Sequence, residues 1–176
     1  MKRITLGFTL LNLLITLSIV GILLSTGIPG LSTLLANSQA NNAYQRLFTL
    51  IQFTRIQAVN YQSQVIICPT VNKKTCISNW NQPLMVFVDI NDDKTKNANE
   101  LLLQSFSKMQ KDEYINWKAS GELHYLRFKP DGSTGNQNGR LTYCLKKGED
   151  TYARQIVMYR TGRARRGSET EALKKC

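Results

Sequence analysis

The chain has 176 residues, 23 Lys+Arg against 12 Asp+Glu, and one histidine, for a formal charge of +11. This balance excludes an acidic surface and implies attraction to polyanions: nucleic acid, anionic lipid or surface glycans. With His124 as the only imidazole and no local nucleophile motif, P-loop or dinucleotide fingerprint, the chain reads as a non-enzyme that needs no cofactor.

Residues 1–7 are short and basic, with Lys2 and Arg3. From Phe8 the chain turns apolar, and no charge appears between Arg3 and Arg46. Positive charge ahead of an apolar run keeps the amino end cytoplasmic. A helix from Phe8 to Pro29 rises ~33 Å, enough to cross a hydrocarbon core of ~30 Å. A cleaved secretory signal has a shorter apolar core followed by a small-x-small site, which is not the pattern here. Physical reasoning alone therefore makes 8–30 a membrane anchor.

Residues 31–62 continue as helix. Tyr44, Leu47, Ile51, Thr54 and Ala58 recur at helical spacing with Leu50 beside them, and no glycine or proline lies between Leu31 and Cys68. The apolar stripe predicts that the second half of this helix packs on its own domain.

After Tyr61 the texture becomes short and β-rich: 65–68, 84–88, 101–103, 123–128, 141–145 and 155–159. Pro130-Asp131-Gly132-Ser133 and Gly135–Gly139 carry turn chemistry. The prediction for 63–176 is an antiparallel β domain packed on one helix, an α+β fold.

All four cysteines follow residue 67, which fits an oxidising compartment. They allow three connectivities. The short Cys68–Cys76 spacing favours that pair, with Cys144 bonded to Cys176. The spacing does not suit zinc. Asp89, Asn91, Asp93 and Glu100 fall at positions 1, 3, 5 and 12 of a calcium-loop pattern, but Lys94 stands at position 6 where glycine belongs, and the flanks read as strands. The reading is a polar turn with no metal.

Towards the end of the chain, Arg154, Arg160, Arg163, Arg165 and Arg166 cluster with no acid among them. Thr161–Gly167 follows a strand and is bounded by glycines. Such a loop suits guanidinium forks laid along a phosphate backbone. Lys146 and Lys147 extend the patch if their strand is a neighbour. A solvated basic hairpin that serves only solubility is the competing reading.

Two sets of residues carry a family resemblance. Gly7-Phe8-Thr9-Leu10-Leu11-Asn12-Leu13-Leu14-Ile15, with Gly21-Ile22-Leu23 and Ile28-Pro29, resembles the class III signal of type IV pilins and type II secretion pseudopilins. That resemblance implies cleavage between Gly7 and Phe8 by a prepilin peptidase, N-methylation of Phe8, and a kink at Pro29. It makes 1–7 the leader, 8–30 the transmembrane and filament-core helix, 31–62 its soluble continuation, and 63–176 the globular domain of a type IV pilin fold. The fifth mature position is Asn12 where the family usually has glutamate. This points to a minor subunit, because asparagine cannot neutralise a neighbour's amino terminus. Ala58, Val65, Cys68-Pro69, Cys76, Trp80, Val86–Asp89, Asn91, Phe128 and Asp131-Gly132 are similar to the pattern of GspH/FimT minor pilins and pseudopilins.

Within that family, Gly162-Arg163-Ala164-Arg165 looks like the Gly-Arg-x-Arg motif of DNA-binding FimT-type pilins. The resemblance makes Arg163 and Arg165 the phosphate contacts. Arg166, Arg160, Arg154, Lys146 and Lys147 are added from charge. It implies a minor pilin that is anchored in the inner membrane with its domain in the periplasm, then assembled with other pilins and engaged in DNA uptake for natural transformation. The alternative is a type II secretion pseudopilin, in which the arginines are incidental.

Overall fold

The computed structural model describes residues 9–120 and 124–176, with the side chains of 24–30 excepted. The cleavage point Gly7–Phe8 and the methylation of Phe8 lie outside these residues. The chain divides into two compact units, Met1–Ser38 and Gln39–Cys176. Helix α1 (Leu10–Asn60) contributes to both.

In the first unit many of the large apolar side chains described on α1 are exposed. Leu10, Leu13, Leu14, Leu17, Ile22 and Leu23 are all exposed. The hydroxyls of Thr16 and Ser18 turn back onto the carbonyls of Leu13 and Leu14, both at 2.8 Å, so these polar groups are met within the helix. Among the described residues no helix is long and apolar enough to cross a membrane. The span expected over 8–30 rests partly on residues and side chains that are not described.

In the second unit the helical stripe is buried as its spacing predicts. Leu47, Leu50, Ile51, Thr54 and Ala58 are sealed, joined by Ala40 and Tyr44. The buried hydroxyl of Thr54 bonds the Leu50 carbonyl at 2.7 Å, which removes the cost of placing it in the core.

The rest of this unit is two antiparallel four-stranded sheets. The first has β1 (Gln64–Pro69), β2 (Leu84–Asp89), β3 (Leu102–Phe106) and β5 (Leu126–Phe128) in the order β3-β2-β1-β5. β1 and β2 are buried on both faces, hence their unbroken apolar sequence. The second has β4 (Glu113–Ala119), β6 (Gly139–Lys147), β7 (Asp150–Met158) and β8 (Ala164–Arg166) in the order β4-β6-β7-β8. A short helix α2 (Glu169–Leu173) closes the chain. Trp80, in the connection after β1, packs on Trp117 of β4 with ring centres 5.5 Å apart. The Asn81 side chain accepts from the Ile115 N–H at 2.7 Å, so the two sheets are joined at this corner.

Several sequence-based boundaries shift. The run expected at 123–128 is a strand only over Leu126–Phe128, with Leu123 outside the described residues. β4, β8 and α2 had no counterpart in the sequence reading. β4 mixes Glu, Asn, Lys and Trp and is half-buried at most of its positions, so its alternation is faint.

Both expected disulfides are present, Cys68–Cys76 and Cys144–Cys176, and no described cysteine is free. The first staples the end of β1 to the following connection. The second ties the last residue to the middle of β6, where the Tyr114 hydroxyl also bonds the Cys176 carbonyl.

Candidate nucleic-acid interface

The basic loop is a tight hairpin between β7 and β8. The Gly162 N–H donates to the Tyr159 carbonyl at 2.9 Å, and the Tyr159 N–H donates to the Arg163 carbonyl at 3.0 Å. Gly162 holds φ at 75°, a left-handed conformation that costs glycine nothing. The loop is braced from outside as well. The Thr134 N–H donates to the Arg160 carbonyl at 2.9 Å, and its hydroxyl lies 3.1 Å from the Tyr159 carbonyl. The neighbouring Lys129–Gly132 turn is closed by its own 2.8 Å bond and held to α1 by Arg55, whose Nε donates to the Gly132 carbonyl at 3.0 Å. The arginines therefore project from a fixed turn.

Arg160, Arg163 and Arg165 line one open cleft of about 540 Å³ with Tyr159, Thr161 and Asn138. Arg165 is oriented by the Tyr159 hydroxyl, which accepts from its Nε at 2.6 Å, and its guanidinium lies 5.7 Å from that ring's centre. All three arginines are exposed. Their donors are open to solvent and free to approach phosphate oxygens in bidentate geometry.

Strand register separates the remaining basic residues. Arg165 pairs with Val157, Val157 with Arg140, and Arg140 with Lys118. Directly paired residues share a sheet face, so Lys118, Arg140 and Arg165 form a row spanning about 14 Å at normal strand spacing. Arg140 is exposed and pairs with Glu171 at 3.2 Å. Lys118 and Arg140 were missed in the sequence because nothing local ties them to the arginine loop; only the register does.

Arg166 points to the opposite face. Its guanidinium stacks 5.2 Å over the ring of Tyr44 and bonds the Asn41 side chain at 3.3 Å, so it docks β8 on α1. Burial raises the Tyr44 phenol above its ordinary value, with the Arg166 charge pulling the other way.

Arg154 corrects the sequence-based set. It is 5% exposed, pairs with Glu169, and donates to Asn41 at 2.8 Å and to its own neighbour's carbonyl at 2.7 Å. It belongs to the interior of the fold. Lys146 and Lys147 are a second correction. β6 and β7 are neighbours, but Lys147 pairs with Asp150 whereas Gly139 pairs with Met158, next to the loop. The lysines therefore lie at the far end of the hairpin, more than about 20 Å from the arginines. Lys146 sits instead against the Tyr114 ring, at 5.9 Å.

His124 is exposed, as its isolated position in the sequence suggests.

The family model described as "Type II transport protein GspH" matches residues 43–162, more than half of the chain. Similar solved structures include the type IV minor pilin FimU of Pseudomonas aeruginosa (strain PAO1) in two crystal forms. These are 14% and 16% identical, with TM-scores of 0.50 and 0.51; they cover 76% and 74% of this chain and 91% and 94% of FimU. The minor pseudopilin EpsH from the type 2 secretion system of Vibrio cholerae is 10% identical, with a TM-score of 0.52, covering 73% of this chain and 96% of EpsH. At these identities the likeness is one of fold, the helix and antiparallel sheets of type IV pilins. No curated protein matches the chain.

Proposed function

Because the chain belongs to the type II transport protein GspH family and has the fold of minor pilins, we propose that it is a minor type IV pilin that binds DNA through its basic hairpin. The observation that carries this reading is the convergence of Arg160, Arg163 and Arg165 on one exposed cleft of a braced turn. In this reading prepilin peptidase cuts between Gly7 and Phe8, and Phe8 is methylated. The apolar helix holds the chain in the inner membrane with its domain in the periplasm, then joins other pilins in a filament. The uncovered apolar side chains of α1 fit such a partner, lipid first and sibling helices later. Filament retraction carries bound DNA towards the envelope in natural transformation.

Recognition is of the phosphate backbone. Guanidinium forks meet phosphate oxygens, Asn138 and Thr161 add neutral donors at the rim, and Tyr159 holds Arg165 in place. These donors sit on an open turn, with no helix or ribbon to carry them into a groove, so they meet the backbone first; binding is independent of sequence and weakens with salt as counterions are released.

A second reading has its own support. The family description names type II transport, and EpsH is a pseudopilin of a secretion system. In that role the same domain contacts sibling pseudopilins or cargo, and the arginines are incidental.

The experiment that separates them measures binding of mixed-sequence duplex DNA to the full chain in detergent micelles across a salt series, beside Arg163→Gln/Arg165→Gln. Salt-sensitive binding that collapses in the double variant supports the DNA-binding pilin. No binding at low salt, or equal binding by both proteins, leaves the secretion pseudopilin.

A further inference from the structure

The turn between β2 and β3 brings together Asp89, Asn91, Asp93 and Glu100. In sequence, Lys94 in the place of glycine speaks against a cation here. The backbone removes that objection: Lys94 has a φ of 61°, the left-handed conformation that glycine provides at that point of a calcium loop.

Carboxylate oxygens of Asp89, Asp93 and Glu100 lie within 4.8 Å of one another. Asp89 and Glu100 are 1% and 5% exposed. A separate observation points to a missing ligand. Asp89 Oδ1 is sealed from solvent and has no hydrogen-bond partner. Its other oxygen is fixed, accepting from Gln64 Nε2 at 3.0 Å and from the Lys94 N–H at 3.2 Å, so the carboxylate is oriented with one oxygen left over.

The basic side chains nearby do not answer this need. The Lys94 ammonium at 3.2 Å and the Arg127 guanidinium at 3.7 Å both pair with Asp92. Among the described residues no ion pair reaches Asp89, Asp93 or Glu100 in a chain rich in lysine and arginine. Buried carboxylates without a cation are costly.

We propose that the Asp89–Glu100 turn is a calcium site, held by carboxylate oxygens of Asp89, Asp93 and Glu100. The Asn91 side chain stands at the rim, where its amide donates to Asp93 Oδ2 at 2.9 Å and orients that carboxylate. An all-oxygen set suits a hard cation better than the softer transition metals, and carboxylate oxygens spread within 4.8 Å, without a tight octahedron, favour calcium over magnesium. Bound calcium ties the end of β2 to the approach of β3 and neutralises the buried carboxylates of Asp89 and Glu100. The affinity expected is that of extracellular modules, with a Kd on the order of 10⁻⁴–10⁻³ M. Calcium binding at this turn does not depend on DNA binding at the arginine hairpin.

The test is calorimetric titration of the full chain in detergent, stripped with chelator, using calcium chloride and then magnesium chloride, with melting temperature followed in parallel. The expected result is saturable binding of calcium at one site per chain, a rise in melting temperature, and a much weaker response to magnesium. Asp93→Asn, at an exposed position, should lose calcium binding while melting like the parent in chelator. Asp150→Asn, an exposed acid outside the turn, should bind as the parent does. Absence of saturable binding by the parent, an equal response to magnesium, or undiminished binding by Asp93→Asn overturns the proposal.

Discussion

The carbonyl oxygen of Gly132 occupies the space into which a side chain on Gly162 would project. Two turns distant in sequence, one before β6 and one after β7, are thus packed backbone to backbone, with Arg55 of α1 across both. The position of the arginine hairpin is set by this contact as well as by its own hydrogen bonds.

Gly162→Ala should therefore destabilise the domain by about 2 kcal/mol or more, from left-handed strain together with the clash. Gly148 is also left-handed, at φ 61°, but nothing lies within reach of its missing side chain. Gly148→Ala should cost only the conformational part, about 1 kcal/mol. Chemical denaturation of the two variants side by side measures the difference; equal losses would mean that the turn-to-turn contact contributes nothing.

The register separates the basic residues into groups with different effects on DNA. Each phosphate that is no longer neutralised lowers the slope of log affinity against log salt by about 0.9 for duplex DNA. Arg163→Gln and Arg165→Gln should each reduce the slope by about that amount. Lys146→Gln/Lys147→Gln, at the other end of the β6–β7 hairpin, should leave it close to that of the parent. Lys118→Gln should fall between, because it shares a sheet face with Arg165 at the opposite edge of the row. Fluorescence anisotropy at several salt concentrations reads all of these.

Arg154 should behave as a residue of the fold. Arg154→Ala removes the donor to Asn41 and the partner of Glu169, which is 55% exposed and rehydrates easily. The expected cost is about 1–3 kcal/mol, from the packing lost when a buried side chain is truncated more than from the ion pair with an exposed Glu169. Below its melting temperature the variant should still bind DNA. A full loss of binding by folded protein would return Arg154 to the interface.

The Cys144–Cys176 bridge closes the longer of the two disulfide loops, with a sequence separation of 32. In the chain-entropy model, replacing both residues with alanine should cost about 2–5 kcal/mol. It should also release α2, which shares the sheet face of Arg140, Cys144 and Asn116. Urea denaturation gives the first value, and faster proteolysis within 169–173 reports the second.

Burial raises the Tyr143 phenol well above the ordinary tyrosine range. The folded value is the higher one, so stability tied to the neutral phenol is complete below about pH 10 and declines as pH rises towards that folded value. Phenolate absorbance during alkaline titration should show Tyr143 ionising only with unfolding.

Much of the fold was legible because its signals are local. The stripe from Tyr44 to Ala58 reports burial through its helical spacing, and the apolar runs of β1 and β2 through their unbroken hydrophobicity. The spacing of the cysteines favoured Cys68–Cys76 but left three connectivities open, and the fold decides among them. The candidate site was legible only in part. Arg160, Arg163 and Arg165 stand close in sequence and close in space. Arg154 shares their charge but sits on the α1-facing side of β7, which depends on pairing with Tyr143 and cannot be read from a run of arginines. Lys118 and Arg140 come from different strands and meet Arg165 only through cross-strand register. Lys94 shows the converse: its left-handed backbone, which the sequence pattern assigns to glycine, is visible only in the fold.

β8 is the outer strand of its sheet and only three residues long, with Arg165 on one face and Arg166 on the other. An unpaired strand edge is a template for joining a second copy edge to edge. In any assembly that crowds many such domains together, two β8 edges meeting would set guanidinium against guanidinium on both faces. Charge at this edge would therefore oppose the fusion of neighbouring sheets.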